Sequence, residues 1–205
     1  MRTHPFFLLG FFAFPLFASC QGSASAEAWP LPINNEAPTT PASTQPLAQL
    51  IDSLHFDART IRFHVDKSDR RFEVFVNDSL LKVYPCVLGE KPVGDKFHQG
   101  DRKTPEGTFT FRSKRRPHQW HVFIWVDYPN AESYRRYNER KADGLIPAGK
   151  DIGGEIGIHG VPDGMDHWVD AGEDWTFGCI ALKNADVDEI YPFILPKKTV
   201  MLIEP

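Results

Sequence analysis

Hydrophobic and polar residues alternate along the chain from residue 60 onward, which predicts β-strands. In the first run, Ile61, Phe63 and Val65 are separated by polar residues. The same period of two returns at 72–76 and again at 81–84, with short polar turns between the runs. This spacing predicts a three-stranded antiparallel meander.

Later segments add strands and a few helices to this meander. We predict further strands at 107–112, 120–127, 155–159 and 199–203, and helices at 47–56, 131–141 and 185–194. Pro192 lies inside the last helical pattern and is expected to bend or shorten that helix. The chain is therefore predicted to fold as a mainly β (α+β) domain.

The first 46 residues differ in composition from the rest of the chain. A positive start, an apolar run over 5–17 and small residues before Cys20 are typical of a secretory signal peptide. The run is shorter than the roughly 20 residues that span a bilayer, which disfavours a permanent transmembrane helix. We predict a signal peptide at 1–19, lipidation of Cys20 and a flexible Pro/Ser/Ala linker at 20–46. Cleavage after Ala26 would instead release a soluble protein.

The remaining residues, 47–205, are predicted to form one domain of an exported protein. The protein is expected in the periplasm or cell envelope, anchored to a membrane by lipid. A composition of 41% hydrophobic and 24% charged residues is that of a globular domain, and the net charge of −4 gives no reason to expect a nucleic-acid partner. We expect a monomer without cofactor or metal.

Two cysteines lie within this domain, and each needs an explanation. In an oxidising compartment, Cys86 and Cys179 could form a disulfide. Alternatively, Cys179 is a nucleophile, because Gly178 before it lets backbone N–H groups converge on one point. A thiol needs a nearby base to become reactive, and His159 at the end of a predicted strand is a candidate.

Three blocks of sequence resemble the L,D-transpeptidase catalytic domain (YkuD) family, in the form found in its YafK-like members. The segment Asp174-Trp175-Thr176-Phe177-Gly178-Cys179-Ile180-Ala181-Leu182 is similar to the family's cysteine motif, and His159-Gly160 is similar to its histidine motif. The blocks at 100–109 and 120–130 also resemble segments of this family, and the three blocks follow the family's order along the chain. The resemblance covers about residues 58–205 and implies an L,D-transpeptidase-like β-sandwich or mixed-sheet fold.

This resemblance implies a cysteine acyltransferase that acts on peptidoglycan stem peptides. It gives Cys179 the role of nucleophile and His159 that of general base and acid. The Gly160 carbonyl would orient the imidazole, and the backbone N–H of Gly178 would stabilise an oxyanion. The residues predicted to line the substrate site are His121, Trp175, Thr176 and Phe177.

The chain departs from the family pattern at two positions. Phe177 stands where many members have His, and Ala181 stands where many have Arg. The second change removes a charge that could bind a carboxylate of the stem peptide. The nucleophile and the base are retained, so the reaction type is better supported than the substrate.

Other functions remain open at the level of sequence. The same thiol could serve a hydrolase or amidase, such as an L,D-carboxypeptidase or an enzyme that releases wall-attached protein. The spacing of His159 and Asp166 also occurs in zinc D-Ala-D-Ala peptidases, although no convincing third ligand follows. A non-catalytic wall-binding lipoprotein is the third alternative.

Overall fold

The computed structural model of the protein describes residues 43–77 and 79–205. All of these residues lie in one compact unit that spans residues 40–205. The predicted signal peptide, the Cys20 lipidation site and most of the predicted linker lie outside the described residues. Among the described residues, none of the helices combines the length and apolar character needed to cross a bilayer.

Five strands form the first sheet, which contains the predicted meander. The strands are β1 (Ile61–Asp66), β2 (Arg71–Val76), β3 (Ser79–Pro85), β4 (Gly107–Phe109) and β9 (Val200–Glu204). Their order is β3-β2-β1-β9-β4, in which β1 and β9 run parallel and the other neighbours are antiparallel. The meander prediction is confirmed, because β1 pairs with β2 and β2 pairs with β3, both antiparallel.

The second sheet has four strands, which are β5 (Phe111–His118), β6 (His121–Val126), β7 (Gly157–His159) and β8 (Ile180–Ala181). Their order is β5-β6-β7-β8. Strand β6 is antiparallel to β5 and to β7, whereas β7 and β8 are parallel. The two mixed sheets with few helices confirm the predicted mainly β fold class.

Side chains from both sheets form the main apolar core. Phe63 of β1 packs against Phe72 of β2, with ring centroids 5.2 Å apart, and edge-on against Phe111 of β5 at 6.2 Å. From the second sheet, Ile158 and Ile180 are fully buried in the same cluster. This inner face is apolar, so reactive side chains of the second sheet must lie on its other face.

The three predicted helices are present; the first and the last end earlier than predicted, and the middle one ends one residue later. The final helix ends at Ile190, and a 3₁₀ turn at Tyr191–Phe193 follows, so Pro192 shortens the helix as expected. The short helix at 167–170 has no counterpart in the predictions. The α-helices are α1 (Leu47–Ser53), α2 (Ala131–Ala142), α3 (His167–Asp170) and α4 (Asn184–Ile190).

Candidate active site

Strand pairing brings the predicted base and nucleophile to one face of the second sheet. Strands β7 and β8 are parallel neighbours, and His159 is in register with Ala181. Since side chains alternate along a strand, Cys179 falls on the face that carries His159, opposite to the buried Ile180. Two residues of offset on adjacent strands correspond to roughly 8 Å between the Cα atoms of Cys179 and His159. Side chains of this length can meet across that offset.

The imidazole of His159 is held in one orientation by its neighbour in sequence. Its Nδ1 lies 2.6 Å from the carbonyl oxygen of Gly160. A carbonyl oxygen can only accept, so Nδ1 carries the proton and Nε2 is left as the basic nitrogen. The side chain is 3% exposed, which limits competition from water. The predicted orienting role of Gly160 is consistent with this contact.

Three aromatic rings surround the imidazole. Phe123 of β6 stacks on it with a centroid distance of 5.6 Å and an interplanar angle of 12°. Trp120 and Trp175 lie at 5.7 Å and 5.6 Å. These rings restrict the movement of His159 and lower the polarity around it.

The thiol of Cys179 points toward backbone groups at the entrance to β7. It donates to the carbonyl of Glu155 at 3.6 Å. Burial raises the pKa of the thiol to about 11, although the Gly157 N–H and the charge of Lys96 act in the opposite direction. The thiol is therefore neutral at pH 7, and a base must remove its proton during a reaction.

A buried threonine holds the turn that precedes the thiol. The hydroxyl of Thr176 donates to the carbonyl of Cys179 at 2.7 Å and accepts from the N–H of Gly178 at 3.1 Å. The N–H of Gly178 therefore has an acceptor inside the turn in this structure, and its predicted oxyanion role stays a prediction. Within the described ranges, the N–H of Cys179 has no hydrogen-bond acceptor. Thr176 itself is 3% exposed and shapes the turn, and its contact with substrate stays a prediction.

Gly178 is required by both its backbone conformation and its surroundings. Its φ is +128°, and a Cβ atom there would lie 2.6 Å from the carbonyl oxygen of Lys103. The second block of resemblance, at 100–109, therefore packs directly against the cysteine turn. In that block, Thr104 is fully buried and accepts from the N–H of Gly89 at 3.0 Å.

The other predicted substrate residues lie in different surroundings. Phe177 is 72% exposed beside the thiol turn. Trp175 packs against Trp168 of α3, with centroids 5.3 Å apart, as well as against His159. The Nε2 of His121 donates to Asp188 of α4 at 2.9 Å, so this imidazole is directed to a helix. Contact of Phe177, Trp175 or His121 with substrate stays a prediction.

The disulfide alternative is contradicted. Both Cys86 and Cys179 are free thiols, and Cys86 is 1% exposed in the main core. The zinc alternative gains no support, because the described residues contain no group of three His, Cys, Asp or Glu side chains able to hold a metal. Asp166 instead accepts from the backbone N–H of Asn184 at 3.1 Å.

The sequence reasoning missed several residues that shape the site. Glu155, which accepts from the thiol through its carbonyl, has a φ of +55°, and no motif marks that position. Lys96 is buried with Asp101, their charged atoms 2.7 Å apart. A lysine and an aspartate five residues apart in a polar loop give no sign of burial, so only long-range packing could reveal this pair.

Comparisons with known proteins identify relatives of this chain. Residues 60–203 match the family model described as the L,D-transpeptidase catalytic domain, YkuD. The chain is 25% identical over 168 residues to the Escherichia coli K12 protein named "Putative L,D-transpeptidase YafK", an alignment that covers 79% of this chain and 56% of that protein. The chain thus spans about half the length of the curated relatives that it matches.

Solved structures similar to this chain include two bacterial proteins. A mutant form of the helical cell shape determining protein Pgp2 from Campylobacter jejuni aligns with a TM-score of 0.50 and 25% identity, over 71% of this chain and 47% of that chain. Bd1075 from Bdellovibrio bacteriovorus aligns with a TM-score of 0.48 and 22% identity, over 71% and 48%. The alignment with the Pgp2 mutant supports the assignment of the fold.

Proposed function

Because the chain belongs to the L,D-transpeptidase catalytic domain family, we propose that it transfers acyl groups of peptidoglycan stem peptides through a thioester on Cys179. The observation that carries the proposal is the hydrogen bond from His159 to the Gly160 carbonyl, 2.6 Å long. It leaves Nε2 as a base on the sheet face that also carries the thiol.

In the first step, the sulfur of Cys179 attacks the carbonyl carbon of the third, diamino acid residue of a stem peptide. Nε2 of His159 accepts the thiol proton as the C–S bond forms, since a thiol with a pKa of about 11 is not ionised beforehand. The N–H of Cys179 stabilises the developing oxyanion. Collapse of this intermediate breaks the peptide bond, and the imidazolium protonates the departing amine.

In the second step, an acceptor breaks the thioester. An amine from another stem or from a protein would form a new amide bond, and water would give hydrolysis. In either case, His159 removes a proton from the acceptor, and the thiol is regenerated. The aromatic rings of Trp120, Phe123 and Trp175 keep bulk water from the imidazole.

The proposal also includes a cellular location. We propose an exported protein with a signal peptide at 1–19, a lipidated Cys20, a linker at 20–46 and a catalytic domain at 47–205. The likeness to Pgp2, described as a helical cell shape determining protein, supports a role in modifying the cell wall.

The covalent step can be tested by intact-protein mass after incubation with a carbapenem. We expect the wild-type protein to gain the mass of one adduct and Cys179→Ala to gain none. Cys86→Ala is the matched control and should be modified like the wild type. A wild-type protein that stays unmodified would contradict the proposal. Muropeptide analysis of digested sacculi would then separate crosslinking from peptide trimming.

A further inference from the structure

An exposed aromatic ring and a cation form a rim beside the nucleophile. Phe177, two residues before Cys179, is 72% exposed. The guanidinium carbon of Arg102 lies 4.6 Å from the centre of its ring, a cation–π contact. The same guanidinium forms an ion pair with Glu90. We call Phe177, Arg102 and Glu90 the rim cluster.

The position that carries an arginine in many family members cannot carry one here. Ala181 is fully buried and belongs to a second apolar cluster with Val87, Val161 and Val169. A longer side chain would have to displace this cluster, which attaches helix α3 to the second sheet. Any cation that meets the substrate must therefore come from another part of the site.

The backbone of Arg102 is fixed against the cysteine turn. Its carbonyl accepts from the N–H of Lys91 at 3.1 Å, and a Cβ on Gly89 would lie 2.3 Å from that same carbonyl oxygen. The next carbonyl, of Lys103, packs against Gly178. Because the backbone is held and the side chain is 42% exposed, Arg102 presents its charge at a defined place on the rim.

We propose that Arg102, stacked on Phe177, binds a free carboxylate of the substrate peptide next to the thiol and thereby selects non-amidated stems. This inference rests on the proposed function. A planar guanidinium can bind a carboxylate through two parallel hydrogen bonds while its face stays on an aromatic ring. The exposed ring of Phe177 then has a physical role, because it limits the conformations of the arginine before substrate arrives.

Glu90 gives the proposal a second, opposite prediction. In the free protein, its carboxylate forms an ion pair with the guanidinium that the substrate carboxylate would bind. Substrate must compete with it or share the cation, so Glu90 weakens binding of an anionic peptide. Removing the charge of Glu90 should therefore strengthen the same interaction that loss of Arg102 weakens.

The test compares two stem tetrapeptides with diaminopimelate as third residue, one with free carboxylates and one with those carboxylates amidated. We expect Arg102→Met to lower kcat/KM for the free peptide about tenfold to a hundredfold, mainly through KM. Glu90→Gln should raise kcat/KM for the free peptide several-fold, because the Arg102 guanidinium then pairs with the substrate carboxylate without competition from Glu90. Arg135→Met is the control, since it removes another exposed, ion-paired arginine, which lies on helix α2.

Calorimetric titration of the Cys179→Ala protein with each peptide measures binding without turnover. It separates a failure of the inference about Arg102 from a failure of the proposed function. If wild-type protein turns over both peptides equally, or Arg102→Met lowers both equally, the inference about Arg102 is wrong while the proposed function stands. If the wild type neither binds nor turns over either peptide, both are wrong. Loss of preference in Arg102→Met, with a gain in Glu90→Gln, supports the inference.

Discussion

Cys86 and Cys179 carry the same thiol group in two parts of the molecule with different surroundings. Cys86 follows β3, is 1% exposed and packs in the main core. Cys179 is half-buried on a turn between a bridge to residue 89 and strand β8. Burial raises the pKa of both thiols, that of Cys179 to about 11 and that of Cys86 further. Ionisation at rest therefore does not make one of them the nucleophile.

The difference lies in access and in neighbouring groups. Cys86 packs among apolar core residues. Cys179 shares a sheet face with His159, and its backbone N–H has no acceptor among the residues that the structure describes. A thiol with these neighbours can lose its proton at the moment of attack. The comparison teaches that reactivity depends on the surrounding backbone and base, and less on the resting pKa.

The largest expected effect is in alkylation by iodoacetamide. Cys86 should react only when the core opens, which costs about 5 kcal/mol or more, so Cys179 should react roughly 10⁴-fold faster. Because only the thiolate reacts, the rate at Cys179 should rise about tenfold per pH unit up to its pKa of about 11. Peptide mapping over a pH series would measure both. Similar rates at the two cysteines would break the comparison.

The next effect separates access from base catalysis. His159→Gln should lower acylation by a carbapenem about 10³-fold, since it removes the base. It should change iodoacetamide alkylation of Cys179 by less than about threefold, because the thiol is already neutral. His55→Gln, an exposed histidine outside the site, is the control. An equal loss in both reactions would mean that His159 ionises the thiol before substrate binds.

The smallest effect concerns the turn that presents Cys179. Gly178→Ala would place a Cβ 2.6 Å from the Lys103 carbonyl at a φ of +128°, and should cost about 3 kcal/mol of unfolding free energy. Gly172→Ala shares a positive φ but has nothing within 4 Å, and should cost only about 1 kcal/mol. Urea unfolding measures both values. Equal costs would show that the close approach to Lys103 is not required.

Local patterns predicted much of the fold and selected the candidate residues of the site. The meander followed from alternation at residues 61–76, and helix α2 from a polar run that Asn130 caps by accepting from the N–H of Ser133. Cys179 and His159 could be selected because a Gly-Cys pair and a His-Gly pair are short motifs with a chemical reason. In each case, the deciding interaction lies within a few residues.

Other features could not be predicted, because their partners are distant in sequence. Strand β5 continues to His118 through a basic stretch without alternation, where Lys114 and Arg116 lie over the ring of Tyr191. Asn184 is of a residue type that often caps helices, yet its side chain accepts from the N–H of Val161. Contacts of this kind span 23 residues or more.

By itself, the sequence determined the strand pattern, the candidate nucleophile and base, and the glycine that allows the turn, because each depends on residue type and nearest neighbours. Only the tertiary structure decided which donors remain available. Thr176 takes the N–H of Gly178, the Glu155 carbonyl receives the thiol, and Arg102 reaches the ring of Phe177. Hydrogen bonds and ring contacts of this kind depend on how the strands and loops pack together, and a linear pattern does not contain that information.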